Sequence, residues 1–113
     1  MAIVLQLSVK DVNAAKAIAD GLAHGGVDRE KIRFVINRHR AKGSMLTVDE
    51  ARKALGGHDP ILLRNDYRRA MTSINFGQPL AKSSPRSKLR SDIQRLASQM
   101  TEALELRVGA KAV

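Results

Sequence analysis

A chain of 113 residues can bury one hydrophobic core but is short for a complete doubly wound nucleotide-binding fold. Twenty Lys and Arg against eleven Asp and Glu leave a formal charge of +9, which draws DNA, RNA, anionic lipid or an acidic protein surface without choosing among them. With no cysteine, disulfides, thiolate zinc sites and cysteine nucleophiles are excluded, and an intracellular protein is expected. No apolar run approaches the roughly 20 residues that span a bilayer, and the N-terminus lacks a secretory pattern, so the chain is expected to be soluble.

The first element is the apolar run at residues 2 to 7, AIVLQL, which reads as a buried strand. Ser8 can cap the helix that follows, where Val12, Ala15, Ile18 or Ala19, and Leu22 recur at helical spacing before Gly25 and Gly26 stop it. Residues 32 to 37, IRFVIN, form the second strand. Thr47 and Glu50 have capping-box spacing for a short helix over 48 to 55, with Gly56 and Gly57 near its end. Residues 60 to 64, PILLR, supply a third strand, with Pro60 first, where a missing amide donor is tolerated.

Asp66 can cap a third helix whose Tyr67, Ala70, Met71 and Ile74 share a face, ended by Gly77 and Pro79. After a loop at 77 to 84, Ser84 and Pro85 suit the cap and first turn of a long helix with Leu89, Ile93, Leu96, Met100 and Leu104 along one face. That face either covers a sheet or pairs with another copy. Residues 108 to 113 read as a flexible tail after a segment of 2 to 107.

Strand, helix, strand, helix, strand, helix describes an α/β domain with three mainly parallel strands. Such a sheet places Asn37 and the Arg64-Asn65-Asp66 turn along the edge where α/β proteins bind ligands. Asn37 offers both a donor and an acceptor, suited to an adenine edge, and Asn equally serves a strand-to-loop turn. Arg38 and Arg40 can neutralise phosphates or solvate a loop.

The positive excess sits in Arg33, Arg38, Arg40, Lys42, Arg64, Arg68, Arg69, Arg86, Lys88 and Arg90. Only Phe34, Tyr67 and Phe76 are aromatic, so no interleaved stacking platform for single-stranded nucleic acid appears. Asp66 reads as a helix cap rather than a metal ligand, since Asp49 and Asp59 form no paired-carboxylate motif with it. His24, His39 and His58 lack metal-ligand spacing, and Ser83, Ser84 and Ser87 form no nucleophile elbow. No metal site and no catalytic residues are assigned.

In order, IRFVINRHR, TVDEARKALG and PILLRNDYRRAMTSINFGQPLAKSSPRSKLRSDIQRLA resemble the C-terminal part of the MinD/ParA-like ATPases of the CpaE/TadZ pilus-assembly family, over roughly residues 2 to 100. The Asn-Arg after the second strand, the Asn-Asp-Tyr turn, the Asn-x-Gly-x-Pro-Leu segment and the Ser-Pro-Arg-Ser-x-Leu helix start carry the resemblance. It implies a partial doubly wound P-loop NTPase-like fold with a long C-terminal helix. It also implies a dimeric, cytoplasmic ATPase that binds ATP and Mg and acts at the cell pole, or peripherally at the inner membrane, with a Flp, type IV or type II secretion machine. By similarity Asn37 aligns with the base-contacting Asn, Arg38 follows it, and Arg64, Asn65 and Asp66 border the adenine pocket. Arg64 departs from the Pro common at its position.

The sequence contains no G-x-x-x-x-G-K-[ST] motif or deviant equivalent, the element that neutralises and orients a transferring phosphoryl group. The expected role is therefore that of a C-terminal segment, inactive alone, that associates with itself or with the rest of an ATPase domain and binds no nucleotide tightly by itself. A basic, partition-like DNA-binding module using Arg38, Arg40, Arg68 and Arg69, or a protein-interaction domain, is the alternative.

Overall fold

The computed structural model describes residues 1–40 and 45–112, with side chains described through residue 102 apart from those of 41–44. Lys42 and the Leu104 side chain therefore lie outside the described residues. The chain divides into two compact units, Met1–Asn65 and Asp66–Val113.

The first unit is built on a parallel sheet in the order β1 (Ala2–Gln6), β2 (Arg33–His39), β3 (Ile61–Arg64). Parallel neighbours need crossovers, and α1 (Val9–His24) and α2 (Val48–Ala54) provide them. Ser8 caps α1, its Oγ accepting from the Asp11 amide at 3.1 Å. Gly26, at φ 100°, lets the chain leave α1 while the Val27 amide donates to the Leu22 carbonyl at 2.9 Å. A 3-10 turn over Arg29–Lys31, not foreseen from sequence, leads into β2. Thr47 caps α2 by accepting from the Glu50 amide at 3.1 Å, and its hydroxyl donates to Glu50 Oε1 at 3.1 Å. The expected box is thus closed through the hydroxyl.

The main buried cluster lies on one face of this sheet, while Val35 and Leu63, out of phase with it along β2 and β3, are buried as well. Ile3 and Leu5 of β1, Phe34 and Ile36 of β2, Val12, Ala15 and Ala19 of α1, Ala51 of α2 and the adjoining Leu55 form one buried cluster with Ile32. Of the two residues proposed for the third apolar position of α1, Ala19 is buried and Ile18 is 52% exposed. β1 corrects the expectation of a fully buried strand: its side chains alternate, and Val4 is 60% exposed. An edge strand covered on one face by a crossover helix needs apolar side chains only on that face. β2 runs two residues past the expected end at Asn37, to His39.

In the second unit, Asp66 caps α3 (Tyr67–Phe76), and Gly77, at φ 61°, ends it. Its expected apolar face is not buried, for Tyr67 and Ile74 are both exposed. The stretch read as a loop contains a short helix, α4 (Leu80–Ser83). The long helix α5 (Lys88–Ala112) begins after Ser87, not at Pro85, and its backbone is helical into the segment read as a tail. The Ser87 amide bonds to the Ser84 carbonyl at 3.0 Å, so the chain makes one more turn before the helix proper. Leu89 and Leu96 are half-buried, whereas Ile93 and Met100 are exposed.

Candidate functional site

Three parallel strands bring their C-terminal ends, Gln6, His39 and Arg64, to one edge of the sheet. Between Ile36 and His39 the register of β2 against β3 shifts: Ile36 faces Leu62, and His39 faces Arg64. Three steps along β2 match two along β3, so β2 carries one extra residue, the signature of a bulge. Arg38 occupies it at φ 54°, the left-handed region that disfavours a residue with a Cβ. Its amide is held by Asn37, whose Oδ1 accepts at 3.0 Å. One bulge thus turns the end of β2 and commits the Asn37 oxygen.

The ends of β2 and β3 are then tied together. The Asn65 amide donates to the His39 carbonyl at 2.9 Å. With the Asn65 side-chain amide oriented to face its oxygen toward Arg40, that oxygen accepts from Arg40 Nε at 3.0 Å and Nη2 at 3.1 Å. A guanidinium fork closing on one amide oxygen fixes both side chains. His39 Nδ1 is buried without a hydrogen-bond partner.

Asp66 opens the second unit and serves its helices. Its Oδ1 accepts from the Arg69 amide at 3.4 Å, while Oδ2 accepts from Ser87 Oγ at 2.8 Å and faces Arg69 Nη1 at 3.5 Å. Ser87 is fully buried. The carboxylate therefore joins the start of α3, held through Oδ1, to the approach of α5, held through Oδ2.

Of the residues singled out from sequence, Asn37, Arg38, Arg64 and Asn65 gather at the strand ends, and Asp66 follows in the chain with its carboxylate engaged elsewhere. Arg40 is bound to Asn65 and Arg69 to Asp66, whereas Arg38 and Arg68 have no side-chain partner among the described residues. His39 and Ser87 were weighed from sequence only as a metal ligand and a nucleophile, and the contacts they make here were not anticipated. Ser87 could have been found, since a serine directly before the Leu89/Ile93 periodicity is a cap signal. The bulge that precedes His39 leaves no mark in a run of β-forming residues.

Among the described residues no group of three or more His, Cys, Asp or Glu gathers to hold a metal ion, and no described helix is long and apolar enough to cross a membrane. A small open cavity of about 60 Å³, lined by Ala19, Arg29, Ile32, Phe34, Leu55, Gly56 and His58, lies at the other end of β2. It is well below the few hundred Å³ of a typical small-molecule site. Size and place separate it from the strand-end residues.

No protein-family model matches the chain, and no curated protein does. A solved structure, the ParA family ATPase from Chlorobium tepidum TLS, is similar with a TM-score of 0.69 and 26% identity. The similarity covers 81% of this chain and 37% of that one, so the chain spans little more than a third of its neighbour. The three parallel strands with their helices match a partial P-loop NTPase-like α/β fold. At this distance the similarity supports kinship with the broad MinD/ParA-like ATPase superfamily and does not reach the CpaE/TadZ family within it.

Proposed function

We propose that this chain is the base-side segment of a MinD/ParA-like ATPase of the CpaE/TadZ type, which serves pilus assembly and secretion-machine localisation and has no ATPase activity alone. The observation that carries the reading is the strand-end edge, where Asn37, Arg38, Arg64 and Asn65 lie together in a fold similar to a ParA family ATPase. Asn37 contributes its Nδ2 donor to an acceptor nitrogen of the base, because its oxygen is held by the Arg38 amide. Arg38, exposed and without a side-chain partner among the described residues, supplies positive charge to a phosphate. Arg64 and Asn65 border the base, and Asp66 supports that border by fixing the next helix. These donors fit the base and one anionic group of ATP.

They do not fit the rest of the cofactor. The sequence lacks a phosphate-binding loop, and the described residues offer no carboxylate cluster for Mg, so no step of hydrolysis is assigned to this chain. Phosphate and Mg contacts are assigned to a phosphate-loop half of the domain.

Calorimetric titration of the 113-residue chain with Mg-ATP, with ADP and GTP as controls, is expected to give no heat of binding. Fusion to a phosphate-loop half should give adenine-selective binding, and Asn37→Ala should then lower the ATP-over-GTP preference more than the affinity for polyphosphate. Equal preference with and without Asn37 would refute its role. The second reading, a nucleic-acid surface, is favoured by the free guanidiniums of Arg38 and Arg68 and requires duplex binding that weakens steeply with salt.

A further inference from the structure

The positive charge of the second unit is concentrated in one stretch. Between Asp66 and Asp92 the chain carries Arg68, Arg69, Lys82, Arg86, Lys88 and Arg90 and no acidic residue. Arg69 is answered by Asp66 at 3.5 Å, and Arg90 Nη1 donates to the Pro85 carbonyl at 2.8 Å. Arg68, Lys82, Arg86 and Lys88 are exposed, and none of them has a carboxylate partner among the described residues. The stretch lies inside the chain, so its charge and its lack of acid do not depend on what adjoins either end.

The fold gathers these cations beside an apolar face. Ser87 Oγ donates to Asp66 Oδ2 at 2.8 Å, which ties Arg86 and Lys88, on either side of Ser87, to the start of α3, where Tyr67 and Arg68 follow Asp66. At about 100° per residue, Tyr67, Met71 and Ile74 fall within about 60° of one another on α3, and Arg68 stands about 60° from Met71 along the flank. Tyr67 is 63% exposed and Ile74 70%, with Met71 half-buried between them. The spacing i, i+4, i+7 is the one by which a helix seats its side chains on a partner.

The chemistry narrows the partner. A nucleic acid would engage the cations but leave Met71 and Ile74 in water, and Tyr67 alone is no stacking platform. A lipid surface needs a broader apolar stripe than Tyr67 and Ile74 provide, since even a whole acyl chain anchors only marginally. A protein helix with its own apolar stripe between Glu and Asp residues answers both halves of the patch. It covers the apolar face and supplies the carboxylates that the stretch lacks.

We propose that the face of α3 carrying Tyr67, Met71 and Ile74, with Arg68, Arg86 and Lys88 at its N-terminal end, is the docking surface for an acidic amphipathic helix of another protein. This does not depend on the nucleotide reading.

Fluorescence anisotropy of a labelled synthetic helix, with Leu at i, i+3, i+4 and i+7 and Glu on its flanks, tests it against the whole chain. Saturable one-to-one binding is expected, weakened by salt but not abolished, because the apolar contacts are not screened. Ile74→Ser, at an exposed position, should weaken binding by at least about tenfold. Arg86→Glu combined with Lys88→Glu should weaken it as much, and acidic residues suit the start of α5. Circular dichroism verifies the fold of each variant. A scrambled peptide of the same composition, which keeps the charge and loses the stripe, should bind at least about tenfold more weakly. Absence of binding by the striped peptide, equal binding by the scrambled one, or no loss in Ile74→Ser would each overturn the proposal. Tighter binding to a DNA duplex, or to phosphatidylglycerol vesicles, would also overturn it and reassign the patch to nucleic acid or to lipid.

Discussion

The two units solve the same problem, holding helices in place, with different materials. Every hydrophobic residue found buried among the described residues, from Ile3 to Leu63, belongs to Met1–Asn65, whereas the buried residues of Asp66–Val113 are polar, Ser87 and Asp92. Helices α1 and α5 both carry apolar residues at helical spacing, yet α1 buries Val12, Ala15 and Ala19 while α5 leaves Ile93 and Met100 exposed. Periodicity states which residues share a face, and only a partner surface states whether that face is covered. The first unit is organised by apolar burial and the second by hydrogen bonds at helix starts.

The largest expected effect tests the apolar half of this contrast. Ile36 is fully buried, and Ile36→Ala should cost about 2–5 kcal/mol in urea denaturation, through lost transfer energy and the cavity left behind. Ile93 is 43% exposed, and Ile93→Ala should cost less than about 1 kcal/mol. Equal losses at the two positions would break the comparison.

The polar half is tested at Asp66. Asp66→Ala removes a helix cap and leaves the buried Ser87 hydroxyl without its acceptor, an expected loss of about 1–3 kcal/mol. Ser87→Ala keeps the cap and should cost about 1 kcal/mol. Hydrogen exchange should place both losses in α3 and the start of α5, with β2 amides unchanged. Faster exchange in β2 would show that the units are not organised separately.

Much of this was legible in the sequence because the signals were local. Ser8, Thr47 and Asp66 announce three caps by residue type and spacing, and AIVLQL, IRFVIN and PILLR announce three strands by β-forming runs. What could not be read depends on tertiary context. The start of α5 was misplaced because Ser84-Pro85 is itself a good cap signal, and the bond from Ser87 to Asp66, 21 residues away, selects the later serine. Asn37 was recognised as a strand-end residue of either base or turn chemistry, but the bulge that spends its oxygen on Arg38 is set by the register of β3.

A smaller effect is expected at that bulge. The other residues with positive φ among those described are the glycines Gly26 and Gly56, Gly57 and Gly77, so Arg38 alone bears a Cβ there. Arg38→Gly should relieve the conformational cost and raise the urea midpoint by the equivalent of about 1 kcal/mol. A loss of stability would mean that the guanidinium holds the strand end, and would weaken its assignment as a free ligand contact.

The smallest effect belongs to the exposed ion pairs of α2, a foil to the buried polar contacts of the second unit. Asp49 accepts from Arg52 Nη2 at 2.6 Å and lies 3.3 Å from Lys53 Nζ. Hydrogen bonding to Arg52, and then to Lys53, lowers its pKa below the ordinary 3.8. A carboxyl depressed in the folded state contributes stability that is present above its unfolded pKa and lost as pH falls through the folded value. The difference in Tm between wild type and Asp49→Asn should therefore hold steady from neutral pH down to the ordinary carboxylate range and shrink below it. It should also shrink in salt, because the pair is open to solvent. A difference that widens on acidification would reverse the sign of the linkage and show that the unfolded chain, not α2, holds the Asp49 proton more weakly.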